Sequence, residues 1–226
     1  MTQDIISFWA KPKIRGLRMG GFYVHPSDRN VIVRINHKFD LKCLPCPFVG
    51  PVKSARVVLL YLNPGLSKED GKEAQSQSGL EHYKRKLTGL EPLSSEERHR
   101  AAWKWWTSRV KVFGDPAVLR DKIAILEIGA YHSKSMANTS VLAALPSSRA
   151  MLNWAQETLF GEAMRGERVV ICMRAARFWG LSAGKSGQRY GRSLYAPAVA
   201  RSGHLAHGQM REEIIKKVRS ILARRT

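Results

Sequence analysis

The chain has 226 residues, 44% of them hydrophobic, with 38 Lys+Arg against 18 Asp+Glu and a formal charge of +20. Its length and apolar content suffice for a domain with its own core, and no apolar run reaches the ~20 residues of a membrane span. So large a single-sign excess repels itself unless a polyanion offsets it, which makes nucleic acid the first expected partner and an anionic membrane surface the second.

The opening MTQDIISFWAKPK has neither a long apolar segment nor a small-residue cleavage site, so a cytoplasmic protein without a secretory signal is expected. Lys11, Lys13, Arg15 and Arg18 form a first basic group. Residues 21–36 read as two short strands around a Pro26-Ser27-Asp28 turn, so residues 1–50 are expected to be a basic extension with short strands. Cys43-Leu44-Pro45-Cys46 has the spacing of half a zinc site or a redox pair. The third cysteine, Cys172, supplies no second pair, and His204 and His207 are too closely spaced for a finger. Reduced cysteines in a turn, and no metal, are expected.

Val57–Leu62 is continuously apolar, as in the central strand of a parallel sheet, and it runs into Asn63-Pro64-Gly65. Residues 79–90 read as a helix. Ser94 with Glu97 reads as a capping box opening another through about Val110. That helix carries a second basic group, Arg98, Arg100, Lys104, Arg109 and Lys111, interleaved with three tryptophans. Helical phase puts Trp103 and Trp106 on one face and turns Trp105 away, so at least one is expected to be less buried or to serve a base or lipid contact. Further strands are predicted at Ile123–Ile128, Arg168–Met173 and within residues 193–200, the last weakened by Pro197. Between them Ser147 caps a helix through Leu159 that Gly161 ends. A third basic group, Arg174, Arg177, Lys185, Arg189, Arg192 and Arg201, includes the Gly/Ser-rich SAGKSGQRYGRS. The chain closes on an amphipathic helix with apolar residues at 210, 214, 215, 218, 221 and 222.

This alternation predicts an α/β fold, a three-layer α/β/α sandwich around a central, mostly parallel, four-stranded sheet, with residues 1–226 as one domain. In such sheets ligands bind beyond the carboxyl ends of the strands, which is where Asn63 falls. No Walker loop, Gly-x-Gly-x-x-Gly, His-Glu-x-x-His or Gly-x-Ser-x-Gly is present.

Tyr61–Ser67, YLNPGLS, resembles the first motif of the uracil-DNA glycosylase superfamily, in the Asn-Pro-Gly form of its mismatch-specific and single-strand-selective branches. From about Pro51 onward the strand spacing is similar too, as is a His-bearing loop, RSGHLAHGQM, before the last helix. The resemblance implies a monomeric base-excision repair enzyme that hydrolyses the bond between deoxyribose and a flipped, damaged or deaminated base, uracil first. It implies double- or single-stranded DNA as substrate and no cofactor. It assigns Asn63 to holding the attacking water and His204 to the departing base, with His207 as substitute. Leu62, Pro64 and Gly65 would shape the base pocket. Tyr83 is the nearest aromatic for stacking, and Glu127, Tyr131 and His132 are the polar candidates for reading the base. An acid such as Glu127 would accept from an amino or imino group. Lys185, Arg189, Arg192, Arg201 and His207 are the expected DNA contacts. The chain departs from the pattern at His204-Leu205-Ala206, which lacks the usual proline, and at EAQSQSG, where an aromatic is expected. A non-catalytic nucleic-acid-binding protein on the same fold is the competing expectation, and an unrelated RNA- or nucleotide-processing enzyme the third.

Overall fold

The computed structural model describes residues 4–136, 138–198 and 203–224. Helix α1 (Ile5–Ala10) is capped by the Asp4 carboxylate, which accepts from the Ser7 amide, and α2 (Lys13–Leu17) follows. β1 (Arg18–Met19) and β2 (Phe22–Tyr23) form a small antiparallel ladder. The second strand expected before residue 36 is instead a 3-10 turn at Pro26–Asp28 and helix α3 (Arg29–Ile32). Pro26 sits at the first helical position, where a missing N–H is harmless. Asp28 is fully buried, accepting from the Tyr131 hydroxyl at 2.6 Å and the Ser147 amide at 2.9 Å, which fixes the bend.

The Pro-rich connector supplies a short strand, β3 (Phe48–Val49), and β4 (Val57–Tyr61) follows. Next come α4 (Lys68–Gln75), α5 (Gln77–Lys86), α6 (Arg100–Val110), α7 (Pro116–Leu119) and β5 (Ile123–Glu127). Then come α8 (Ser140–Ala144), α9 (Pro146–Trp154), α10 (Phe160–Arg165) and β6 (Val169–Cys172). The hairpin β7 (Gln188–Tyr190) and β8 (Leu194–Ala196) precedes α11 (Gln209–Ala223).

The large sheet has six strands rather than four, in the order β3-β5-β4-β6-β8-β7. Its parallel centre, β5-β4-β6-β8, is made of the four strands read from the sequence. β3 and β7 each add one antiparallel edge. Side chains alternate across the sheet. Val57, Leu59, Tyr61, Ile123 and Ile125 pack on α6, α7 and α11, whereas Val58, Leu60, Ala124 and Leu126 pack on α1, α5 and α8 to α10. Both faces are thus covered, and every residue of β4, β5, β6 and β8 is buried.

Expected boundaries shift, and Ser147, expected as a cap, lies inside α9, which begins at Pro146. Helix α6 begins at Arg100 with His99 as its cap, while the Ser94 carbonyl accepts from the Trp106 indole at 3.0 Å. Helix α9 does not stop near Gly161. It runs through a π-helical turn at Ala155–Leu159 into α10, which ends at Gly166 with φ +83°. Among the described residues no helix is long and apolar enough to cross a membrane.

Candidate functional site

Beyond the end of β4 the ladder continues, the Gly129 amide donating to the Leu62 carbonyl at 2.8 Å. The loop after β5 thereby lies against Asn63. A Cβ on Gly129 would stand at ordinary contact distance from Asn63 Cβ, 3.5 Å, but at 2.5 Å from Leu142 Cδ2, so a larger residue there would have to displace the Leu142 side chain. Asn63 Nδ2 donates to the Pro64 carbonyl and to Ser133 Oγ, both at 2.9 Å. A carbonyl oxygen only accepts, so the nitrogen faces it and the amide orientation is determined. Asn63 Oδ1 takes no hydrogen bond from any described residue. Gly65 keeps an ordinary backbone and has open space where a Cβ would stand, so its glycine freedom is not what turns the chain.

Beside this turn, between the β5 end and α6, lies a cavity of about 260 Å³. Pro64, Gly65, Glu127 and His132 line it, as do Asp70, His99 and Lys86. Glu127 sits opposite Tyr61 in the parallel register, on the face beneath α6. Its carboxyl is buried and Oε2 has no hydrogen-bond partner. Burial pushes this acid well above the usual carboxylate range, against the opposing charge of Arg174, so the site favours its protonated form. His132 Nδ1 lies 2.6 Å from the Gly65 carbonyl and therefore carries the ring proton. Burial pushes its pKa down, more than the Asp70 carboxylate 3.7 Å away raises it. Burial thus favours the uncharged form of both groups, raising the pKa of the carboxyl and lowering that of the imidazole beside it, the kind of divergence that separates acid and base roles.

A second polar layer fixes the walls. Ser67 and Asp70 form a capping box on α4. Asp70 Oδ1 also takes His99 Nε2 at 3.0 Å, and His99 caps α6, so one contact ties two helix starts together. Glu73 takes His82 Nδ1 at 2.9 Å and Lys86 Nζ at 3.3 Å. For Glu73, burial is outweighed by the His82 hydrogen bond and the Lys86 charge, which hold its pKa at about 2. Asp70 is likewise held low, burial being outweighed by hydrogen bonds from His99 and Ser67 and, in the acid range where the His132 ring is protonated, by its charge. His99 is raised, because Asp70 outweighs its burial.

Carboxylates with depressed folded pKa values stabilise the fold above their unfolded values and stop doing so as pH falls through the folded ones. The raised His99 stabilises below its ordinary pKa and less as pH climbs past it. Urea unfolding across pH should therefore show stability falling between about pH 4.5 and 2. Glu73→Gln should flatten that fall and lower the pH 7 stability by about 2 kcal/mol. An unchanged acid limb in that variant would exclude Glu73 as its source.

The roof is aromatic. Trp105 lines the cavity, meets Tyr61 edge-on at 4.9 Å and carries the Arg109 guanidinium at 4.7 Å from its ring. Trp106 is buried with Trp103 edge-on to it at 4.8 Å. The expected aromatic, Tyr83, is not at this surface: it is buried, its hydroxyl unpartnered, beside a small crevice behind Cys46 and Lys86. Tyr131 is also outside the cavity, its hydroxyl held by Asp28 and the His25 amide. Leu62 packs on the core rather than lining the pocket.

The His-bearing loop reaches the same end of the sheet. Tyr61 Oη donates to the Gly203 carbonyl at 3.3 Å, and Gly203 has φ +76° with Tyr61 and Arg174 against it. His204 follows, half-buried, and does not line the cavity; His207 is exposed. The expected DNA contacts are not one group. Lys185 is exposed, on the loop entering β7 at the carboxyl end of the parallel strands. Arg189 is paired with Glu213 at 2.7 Å, and Arg192, past the reversal of the β7–β8 hairpin, lies at the opposite end by Met164. Arg201 lies outside the described residues. Cys43, Cys46 and Cys172 are free thiols, and among the described residues no cluster of metal-ligating side chains occurs. No family model matches the chain, and neither does any curated protein or solved structure.

Proposed function

We propose that the chain is a DNA glycosylase of the uracil-DNA glycosylase type, hydrolysing the N-glycosidic bond of a damaged or deaminated base flipped out of DNA. One observation carries this: Asn63 is fixed at a strand end with no described residue bonded to its amide oxygen, and although it does not itself line the small cavity, the next residues, Pro64 and Gly65, line it together with the buried Glu127 carboxyl. Asn63 Oδ1 accepts from a water and aims it at C1′ of the sugar. As the C1′–N bond breaks, its electron pair goes to the base, and water adds to C1′ with loss of a proton. A neutral donor near a base carbonyl stabilises that departing anion, as an oxyanion hole does. In the protonated form that burial favours, Glu127 offers one O–H donor and one C=O acceptor, matching a base edge with an adjacent carbonyl and N–H. Trp105 offers a face for the base to stack on. The +20 charge favours the polyanionic backbone.

Incubation with a uracil- or hypoxanthine-containing oligonucleotide followed by alkali should break the strand at the modified base. Recognition of an unpaired base without cleavage is the alternative, favoured by the position of His204 outside the cavity. Tight binding of the same oligonucleotide with no scission decides for it. Affinity for undamaged duplex should fall steeply with salt, log–log slope about −0.9 per phosphate neutralised. A flat response would remove nucleic acid as the purpose of the charge.

A further inference from the structure

An open groove of about 750 Å³ lies on the N-terminal extension. Its walls are the β1–β2 ladder, residues 32–42 and the Lys134-Ser135 turn. Lys38, Lys42 and Lys134 line it against a single acid, Asp40. Its lining is mostly apolar, and two of the few large apolar side chains exposed among the described residues belong to it, Phe22 at 41% and Val33 at 67%. His37 stacks on Phe39 with ring centroids 5.2 Å apart along the same wall.

The groove adjoins the candidate site. Leu66 lines both concavities. The Asp40 amide donates to the carbonyl of His132 at 2.8 Å, so the groove wall is bonded to the loop that carries the pocket imidazole. A duplex offers phosphates to lysines but keeps its bases stacked inside. A single strand offers both phosphates and free base faces, and an apolar, aromatic, cationic trough meets both.

We propose that this groove binds single-stranded nucleic acid, seating a few nucleotides that flank the base in the Glu127 cavity. It adds to the glycosylase reading and rests on it only for the expectation that the ligand is a nucleic acid.

The experiment compares the wild type with Lys38→Ala/Lys42→Ala/Lys134→Ala and with Phe22→Ala. The probes are a fluorescent oligothymidylate and a mixed-sequence duplex of equal length, titrated at several salt concentrations. The triple variant should lose more than about tenfold in single-strand affinity at low salt, and its log–log salt slope should drop by about 2, near 0.7 per lost phosphate contact. Phe22→Ala should lose about tenfold on the single strand with its slope unchanged, the mark of lost stacking. Duplex affinity should change less than threefold in both. Equal losses on both probes would reduce the groove to unspecific positive charge, and no loss on the single strand would overturn it outright. If the variants bind as proposed while no modified base is released, only the glycosylase reading falls. If the wild type binds neither probe, both fall.

Discussion

Asn63→Ala should lower the single-turnover rate of base release by about 100-fold while leaving duplex affinity within about twofold of wild type. A group that aligns the nucleophile acts on the transition state and contributes little to holding the substrate, so the loss falls on the rate. Removing one such positioned polar group commonly costs two to three orders of magnitude. The Asn63 amide also donates to Pro64 and Ser133, so truncation should cost about 1–2 kcal/mol of stability. Ser133→Ala separates the two roles: it removes one of those bonds and keeps the Asn63 oxygen. It should slow release by about tenfold or less, through looser aim alone. Urea unfolding shows whether each variant is folded at the assay temperature. A folded Asn63→Ala enzyme that releases the base at the wild-type rate would mean Asn63 is only a turn residue.

The parallel core was legible because its strands are buried on both faces, and such strands are written as unbroken apolar runs. β3 and β7 were not legible for the complementary reason. They are two and three residues long, and β7 is mostly exposed, so backbone pairing with a neighbour forms them, with no apolar pattern to mark it. The site divides the same way. Asn63, Glu127 and His132 lie at or just beyond the carboxyl ends of adjacent strands, and a strand end is a place that sequence order can name. Side chains that depend on helix placement are harder. Helical phase sends Trp105 away from Trp103 and Trp106, yet nothing local says that it turns toward Tyr61. Tyr131, only four residues after Glu127, points instead to Asp28 on the extension. The Asp70–His99 contact joins two helix caps that are 29 residues apart. Lys185 and Arg192 look like one basic cluster in the sequence, but the β7–β8 hairpin carries them to opposite ends of the sheet.

Glu127→Leu should stabilise the protein and abolish recognition of its ligand. A buried carboxyl with an unpartnered oxygen is a destabilising feature, worth roughly 1–3 kcal/mol for a polar group without its hydrogen bond. Leucine is similar in size and carries no such penalty, so urea unfolding at pH 7 should shift to higher denaturant. Part of the gain is pH-dependent. An acid whose folded pKa is raised stabilises fully only below its unfolded value, and loses that contribution as pH climbs toward the folded one. The variant's advantage should therefore grow from pH 5 to pH 8. Glu127→Gln supplies the chemical control, because an amide keeps one donor and one acceptor at the same reach and cannot ionise. It should retain base release within about tenfold of wild type and remove any alkaline loss of activity that belongs to Glu127. Leucine, leaving the base edge unpaired, should cost on the order of 100-fold or more. Stability gained together with function lost is the signature of a residue kept for its ligand. Leucine that destabilises the fold would mean that Glu127 is held by the structure for its own sake. Leucine that stabilises it without harming base release would leave the cavity without a reader.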